Sequence, residues 1–121
     1  MGASAIVISN HGGRQLDRVQ PTLDVLREVA PQMKDSGTDV LMDGGVRSGG
    51  DIAIALASGA KAVLIGRAYV FGLGAAGGPG VSATLSILQS EFEHTMRQLG
   101  CGSLEELTPD LVLPNCGQYS R

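Results

Sequence analysis

Positive charge is in short supply in this chain. Nine Lys and Arg stand against twelve Asp and Glu, for a formal net charge of −3, so the charge balance offers no argument for a nucleic acid or an anionic membrane as partner. No apolar run approaches the roughly 18 residues of a transmembrane helix. The first residues have neither the basic start nor the apolar core of a signal peptide. Cysteine is limited to Cys101 and Cys116, too far apart for a CxxC pair and accompanied by no cluster of His or Cys. No metal site is predicted, and both read as reduced thiols of a cytoplasmic protein, with a structural disulfide as the weaker alternative. Tryptophan is absent, and the aromatics amount to two Tyr and two Phe.

Glycine is abundant instead, 18 in 121 residues, within a composition that is 43% hydrophobic and 17% charged. Such totals describe one small globular domain, not a disordered segment. The glycines stand beside short Val/Ile/Leu runs, the pattern of strand-to-loop junctions that approach a ligand several times over.

The first of these junctions carries the most chemistry. Ala5-Ile6-Val7-Ile8 has the length and β-branched content of a buried strand. Where it would end, the chain continues Ser9-Asn10-His11-Gly12-Gly13-Arg14-Gln15-Leu16-Asp17. Histidine is the side chain best suited to moving protons near neutral pH. Arginine presents a planar fork that meets a carboxylate with two parallel hydrogen bonds. His11 and Arg14 together suit chemistry on the carbon beside a carboxylate, such as that of a 2-hydroxy acid. On composition alone, a Gly-rich loop with an incidental His and Arg is the competing reading.

A repeat organises the middle of the chain. Gly2-Ala3-Ser4-Ala5-Ile6-Val7-Ile8-Ser9 returns as Gly59-Ala60-Lys61-Ala62-Val63-Leu64-Ile65-Gly66, and between them lies a third apolar run, Asp39-Val40-Leu41-Met42. The intervening segments read as helices: one from Pro21 or Thr22 to about Val29, ended or kinked by Pro31, and one from Ser48 or Gly50 to Ala57, closed by Gly59. Alternation of this kind implies βα units and a parallel sheet, at close to the spacing of a (β/α)8 barrel. Tyr69 to Gly80 follows, a stretch with five glycines. A long helix is then expected from Pro79 or Val81 to Leu99, with Val81, Leu85, Leu88, Phe92, Met96 and Leu99 as its apolar stripe and His94 on the solvent side. Ser103 and Glu106 have capping-box spacing for a short helix, and the tail from Thr108 is expected to be extended.

Two further junctions share one logic. Asp43-Gly44-Gly45-Val46-Arg47 follows the second strand and Gly66-Arg67 the third. Backbone N–H groups in such loops and at helix N-termini form anion sites, and arginine adds a charge-assisted clamp. The pair points to a phosphorylated ligand. Asp43 suits a ribityl or ribose hydroxyl, or equally a cap on its own turn. The Gly49-Gly50 pair reads as a helix-start spacer.

Taken together, Ser-Asn-His-Gly-Gly-Arg-Gln at 9–15, Asp-Gly-Gly-Val-Arg at 43–47 and Gly-Arg at 66–67 resemble the FMN-dependent α-hydroxy acid dehydrogenase/oxidase family, which includes glycolate oxidase, L-lactate dehydrogenase and mandelate dehydrogenase. The likeness runs from Gly2 to about Leu107 and includes Glu93-His94-Thr95-Met96. The first motif is highly specific, and the other two are shared more widely among phosphate-binding barrels. The resemblance implies an α/β fold, βα units six to eight plus the C-terminal helix of a TIM (β/α)8 barrel, with residues 1–107 in the barrel and 108–121 as a tail. It implies His11 as the base that takes a proton from an L-2-hydroxy acid, with Arg14 holding the carboxylate. Asp43, Gly44, Gly45, Arg47, Gly66 and Arg67 would bind FMN, the arginines near the phosphate. It also implies an electron acceptor (oxygen, a quinone or a cytochrome) and a homo-oligomer for the full-length protein.

The family's lysine at the end of the fifth strand, its N-terminal tyrosines and the aspartate that orients the histidine have no counterpart here. The chain therefore reads as a C-terminal piece whose three strands leave two unpaired edges and an uncovered inner face. Alone it is expected to be unstable, to self-associate or to need a complementary half. An FMN or phosphate barrel of the type 2 isopentenyl diphosphate isomerase or inosinate dehydrogenase kind is the enzymatic alternative, disfavoured by the SNHGGRQ unit. A half-barrel that binds a ligand or partner without turnover is the non-enzymatic one.

Overall fold

A computed structural model describes residues 2–113. Its centre is a three-stranded parallel sheet of β1 (Ala5–Ile8), β2 (Asp39–Met42) and β3 (Ala62–Val63), in that spatial order. Ala5 to Ile8 pair in register with Asp39 to Met42, and Leu41 and Met42 pair with Ala62 and Val63. The repeat predicts a longer third strand, and the ladder does run one bond further, from Leu64 N–H to Met42 O at 2.9 Å.

The strands alternate with α1 (Thr22–Met33), α2 (Gly49–Ala57) and α3 (Arg67–Leu99). Side chains alternate across a strand, so Ile6, Ile8, Val40 and Met42 turn to one face. There they pack with Leu26, Val46, Ala55 and Ala60, flanked by Leu23, Val29 and Ile52. Leu26 is fully buried. The other face is bare among the described residues: Val7 and Leu64 are 49% and 45% exposed. Among the described residues both outer strands, β1 and β3, have an unpaired edge, as the sequence predicted.

Three local differences from the sequence reading have physical causes. The first helix passes Pro31 and ends at Met33; a proline this close to the C-terminus sacrifices one hydrogen bond of the last turn without breaking what precedes it. The long helix starts at Arg67, not near Pro79 or Val81, so the glycine-rich segment from Tyr69 is helical, and α3 bends sharply at Ala76 and Gly77, where φ is −150° and 62°. A Cβ on Gly72 would collide with Gly80 and Thr84, and one on Gly80 with Gly72, so the two arms fold back with backbone against backbone. Glycine's usual cost inside a helix is here offset by that close approach. Finally, Glu106 does not close a capping box on Ser103. Its Oε2 accepts from Gly102 N–H at 2.7 Å, and only a single 3-10 turn forms at Leu104–Glu106.

The other termini follow the sequence. Gly59 and Gly100 close α2 and α3 with φ of 104° and 74°. Of the stripe on α3, Leu88 is buried, whereas Leu85 and Leu99 stay 50% and 42% exposed. Alone among the described helices, α3 has the length and apolar content of a membrane span; the bend at Ala76–Gly77 divides it. His94 is solvent-exposed and Cys101 is a free thiol, whereas Cys116 lies outside the described residues. Within the described part of the tail a 3-10 turn forms at Pro109–Leu111, where extended chain is expected; residues 114–121 lie outside the described residues.

Candidate functional site

Because all three strands run parallel, the segments that leave them emerge on one edge of the sheet, the edge where α/β folds bind ligands. These segments surround a cleft of about 370 Å³. His11, Gly12 and Arg14 come from the first segment, Asp43, Gly44, Gly45 and Arg47 from the second, and Gly66 and Arg67 from the third. Every site residue expected from the sequence therefore lines one cavity.

The His11 turn is bent against preference. His11, Gly12 and Gly13 have φ of 50°, 66° and 71°, a left-handed path that costs a non-glycine residue about 1–2 kcal/mol. Hydrogen bonds hold it: His11 N–H donates to Ser9 Oγ (3.2 Å), Gly12 N–H to Asn10 Oδ1 (2.9 Å) and Gly13 N–H to Asn10 O (2.8 Å). The sharp turn brings the two ends of the cleft together, since a Cβ on Gly12 would stand 3.8 Å from Arg67 Nη2.

The second segment is locked to the first. Gly44 has a φ of 89°, and a Cβ there would come within 3.1 Å of both Asn10 Oδ1 and Thr22 Oγ1. Thr22, buried at the start of α1, donates its hydroxyl to Gly44 O at 3.2 Å. Sequence reasoning does not single out Asn10 or Thr22. An Asn directly before a left-handed turn is a local signal for the first, but nothing local marks Thr22.

The two helix starts beside the cleft differ in kind. The first turn of α2 is closed by Ser48 and Asp51 in a full capping box, and Glu91 of α3 adds a bond from Gly49 N–H to its Oε2 at 2.9 Å. The Ser48–Asp51 spacing is legible as a helix start; Glu91 is not. By contrast, Gly66 at the start of α3 has no side-chain cap. Among the described residues the amides of Gly44, Gly45 and Gly66 have no intramolecular acceptor. Free amides, an uncapped helix start and two guanidinium groups converge there, a donor set for an anion. The Asp43 carboxylate accepts no hydrogen bond among the described residues and caps nothing, although it lines the same cleft.

This arrangement has counterparts in known proteins. A model of the FMN-dependent dehydrogenase family matches residues 1–114. The chain belongs to the FMN-dependent dehydrogenase family. It is 47% identical to 2-hydroxyacid oxidase 2 of Rattus norvegicus over 116 residues, which is 96% of this chain and 31% of that protein. It is 44% identical to L-lactate dehydrogenase (cytochrome) of Wickerhamomyces anomalus, over 92% of this chain and 20% of that one. Its fold superposes on a flavocytochrome b2 structure with a TM-score of 0.86 and 43% identity, covering 89% of this chain and 29% of the other. The chain thus spans a third or less of the length of these relatives, which are FMN-dependent oxidoreductases.

FMN is the cofactor that this family membership implies, and the cleft fits it. A phosphomonoester needs N–H donors and cations, which Gly44, Gly45, Gly66, Arg47 and Arg67 offer, and a polyol chain needs an acceptor, which Asp43 leaves open.

Proposed function

We propose that this chain provides the proton acceptor, the carboxylate anchor and the phosphate end of the flavin site in an enzyme that oxidises an L-2-hydroxy acid to the 2-oxo acid. On this reading its strands are βα units six to eight of a TIM (β/α)8 barrel, followed by the C-terminal helix, with the barrel part ending at residue 107 and the tail occupying 108–121. One observation carries the reading: His11 and Arg14 share a single cleft with both Gly–Arg segments.

Bound FMN supplies a two-electron acceptor beside the substrate. Arg14 holds the substrate carboxylate through its guanidinium fork, which fixes the α-carbon relative to His11. Conversion of the 2-hydroxy acid to the 2-oxo acid releases two electrons and two protons: the His11 imidazole accepts one proton, and the other leaves with the electron pair to the flavin. Arg47, Arg67 and the amides of Gly44, Gly45 and Gly66 hold the phosphate, while Asp43 accepts from a ribityl hydroxyl. The relatives' names, an oxidase and a cytochrome-linked dehydrogenase, support oxygen or a cytochrome as the final acceptor. Exposed Phe71, Leu73 and Ile87 on α3 support a homo-oligomer or a complementary part of the barrel covering that face.

Titration with FMN of a barrel in which the strands of the longer relatives complete this chain, followed by flavin fluorescence, tests the cofactor half of the reading. Saturable binding that weakens in Arg47→Ala and Arg67→Ala is expected; wild-type and variant chains with equal affinity would refute it. In a barrel completed by the strands the longer relatives possess, His11→Gln is expected to stop turnover while FMN stays bound, and undiminished turnover refutes the base.

A further inference from the structure

Arg47 lines the cleft, and its backbone amide is bound by a carboxylate of α2. Asp51 Oδ2 accepts three hydrogen bonds: from Arg47 N–H at 3.0 Å, from Ser48 N–H at 2.9 Å and from Ser48 Oγ at 2.9 Å. An ordinary capping box stops at the N-cap amide. Here the same oxygen reaches one residue further back, to the amide of the arginine itself. Ser48 Oγ accepts in turn from Asp51 N–H at 3.2 Å. From the far side, Glu91 takes the Gly49 amide, and Gly49 is buried so closely on Glu91 and Phe92 that a Cβ would strike their backbone. The amides of residues 47, 48, 49 and 51 are therefore all committed.

That commitment has a consequence. The start of α2 has little N–H capacity left and two carboxylates beside it, so an anion is directed away from it and toward the uncapped start of α3. The Arg47 amide is held by the Asp51 carboxylate of α2, while the Glu91 carboxylate of α3 holds the Gly49 amide two residues further on. We infer that Asp51 and Glu91 are positioning residues that aim Arg47 at the phosphate of the bound flavin, so that the packing of α3 on α2 sets phosphate affinity. This rests on the reading of the cleft as an FMN phosphate site.

Comparison of FMN with riboflavin, which lacks the phosphate, separates positioning from mere structural support. All variants are made in a barrel that the strands of the longer relatives complete, where the wild-type chain should bind FMN more tightly than riboflavin. Glu91→Ala and Asp51→Ala should each lose about tenfold in FMN affinity, the scale of one mis-set charge-assisted contact, with riboflavin affinity unchanged. Glu91→Gln, whose side-chain carbonyl can still accept from Gly49, should recover most of the loss. In an Arg47→Ala background Glu91→Ala should cost nothing further for FMN. If Asp51→Ala does not fold by circular dichroism, the Glu91 variants decide. FMN and riboflavin affinities that fall together, or a ratio of FMN to riboflavin affinity that Glu91→Ala leaves unchanged, overturn the inference alone. A wild-type chain without preference for FMN overturns the reading of the cleft and the inference with it.

Discussion

Two adjacent glycines offer a controlled measurement of how firmly the His11 turn is locked to the second segment. Gly44 and Gly45 have almost the same backbone, with φ of 89° and 84°, but a Cβ on Gly45 meets nothing within 4 Å, whereas one on Gly44 meets Asn10 Oδ1 and Thr22 Oγ1 at 3.1 Å and Thr22 Cγ2 at 3.4 Å. Gly45→Ala should therefore cost only the left-handed backbone, about 1 kcal/mol. Gly44→Ala carries that cost and also displaces two engaged oxygens. Moving Asn10 Oδ1 weakens a cap on Gly12 N–H, about 1 kcal/mol, and moving Thr22 Oγ1 strains the bond of a buried hydroxyl, again about 1 kcal/mol. The expected gap between the variants is thus about 2 kcal/mol, or roughly 8 °C in Tm at about 4 °C per kcal/mol. Thermal melts followed by far-UV circular dichroism read it directly. Equal melting points would show that the neighbours yield freely and that the two segments are not locked.

Other perturbations have equally definite outcomes. Leu26→Ala removes the one large side chain that is fully buried among the described residues and should cost about 2–5 kcal/mol, much of the stability of a domain this size, as read by urea titration. Gly49→Ala places a methyl on the backbone of Glu91 and Phe92; α2 and α3 must separate, and a loss of about 3 kcal/mol or more in the same titration is expected. In a completed barrel, Arg14→Met should raise the apparent KM for a 2-hydroxy acid by about 10- to 100-fold, the worth of a hydrogen bond to a charged group, and an unchanged KM counts against the anchor. Glu105 should titrate below the usual glutamate range by NMR, because its own backbone amide and then the Ser103 hydroxyl favour the charged carboxylate. Whatever stability this lends the 3-10 turn is complete above the usual value and is lost as pH falls through the lower folded one; Ser103→Ala should move the titration back up.

The parallel sheet and the residues of the cleft are legible in the sequence because both are local. A four-residue apolar run followed by glycine and a charged side chain is visible without a partner, and once strands run parallel their C-terminal ends must share an edge. What escapes is tertiary. Glycine is a poor helix former, so the long helix is expected to start only near Pro79 or Val81; only the contact of Gly72 with Gly80 reveals why glycines stand in its first arm. Glu91 lies 42 residues from the amide it caps, with no periodicity linking the two. Thr22 looks like an ordinary first helical residue, and its bond to Gly44 exists only because α1 packs beside β2. Even the right spacing misleads at Ser103 and Glu106, where the nearer Gly102 amide competes for the carboxylate.

The backbone contact at Gly72 and Gly80 sets where the first arm of α3 can lie, and that arm begins at Arg67. Neither glycine lines the cleft. A survey restricted to residues that touch a ligand would pass over both, yet any side chain added at either would tilt the arm and carry Arg67 with it. In a library of random substitutions, these two positions should therefore score like contact residues for anion affinity, while Gly74, with open space around it, should tolerate replacement.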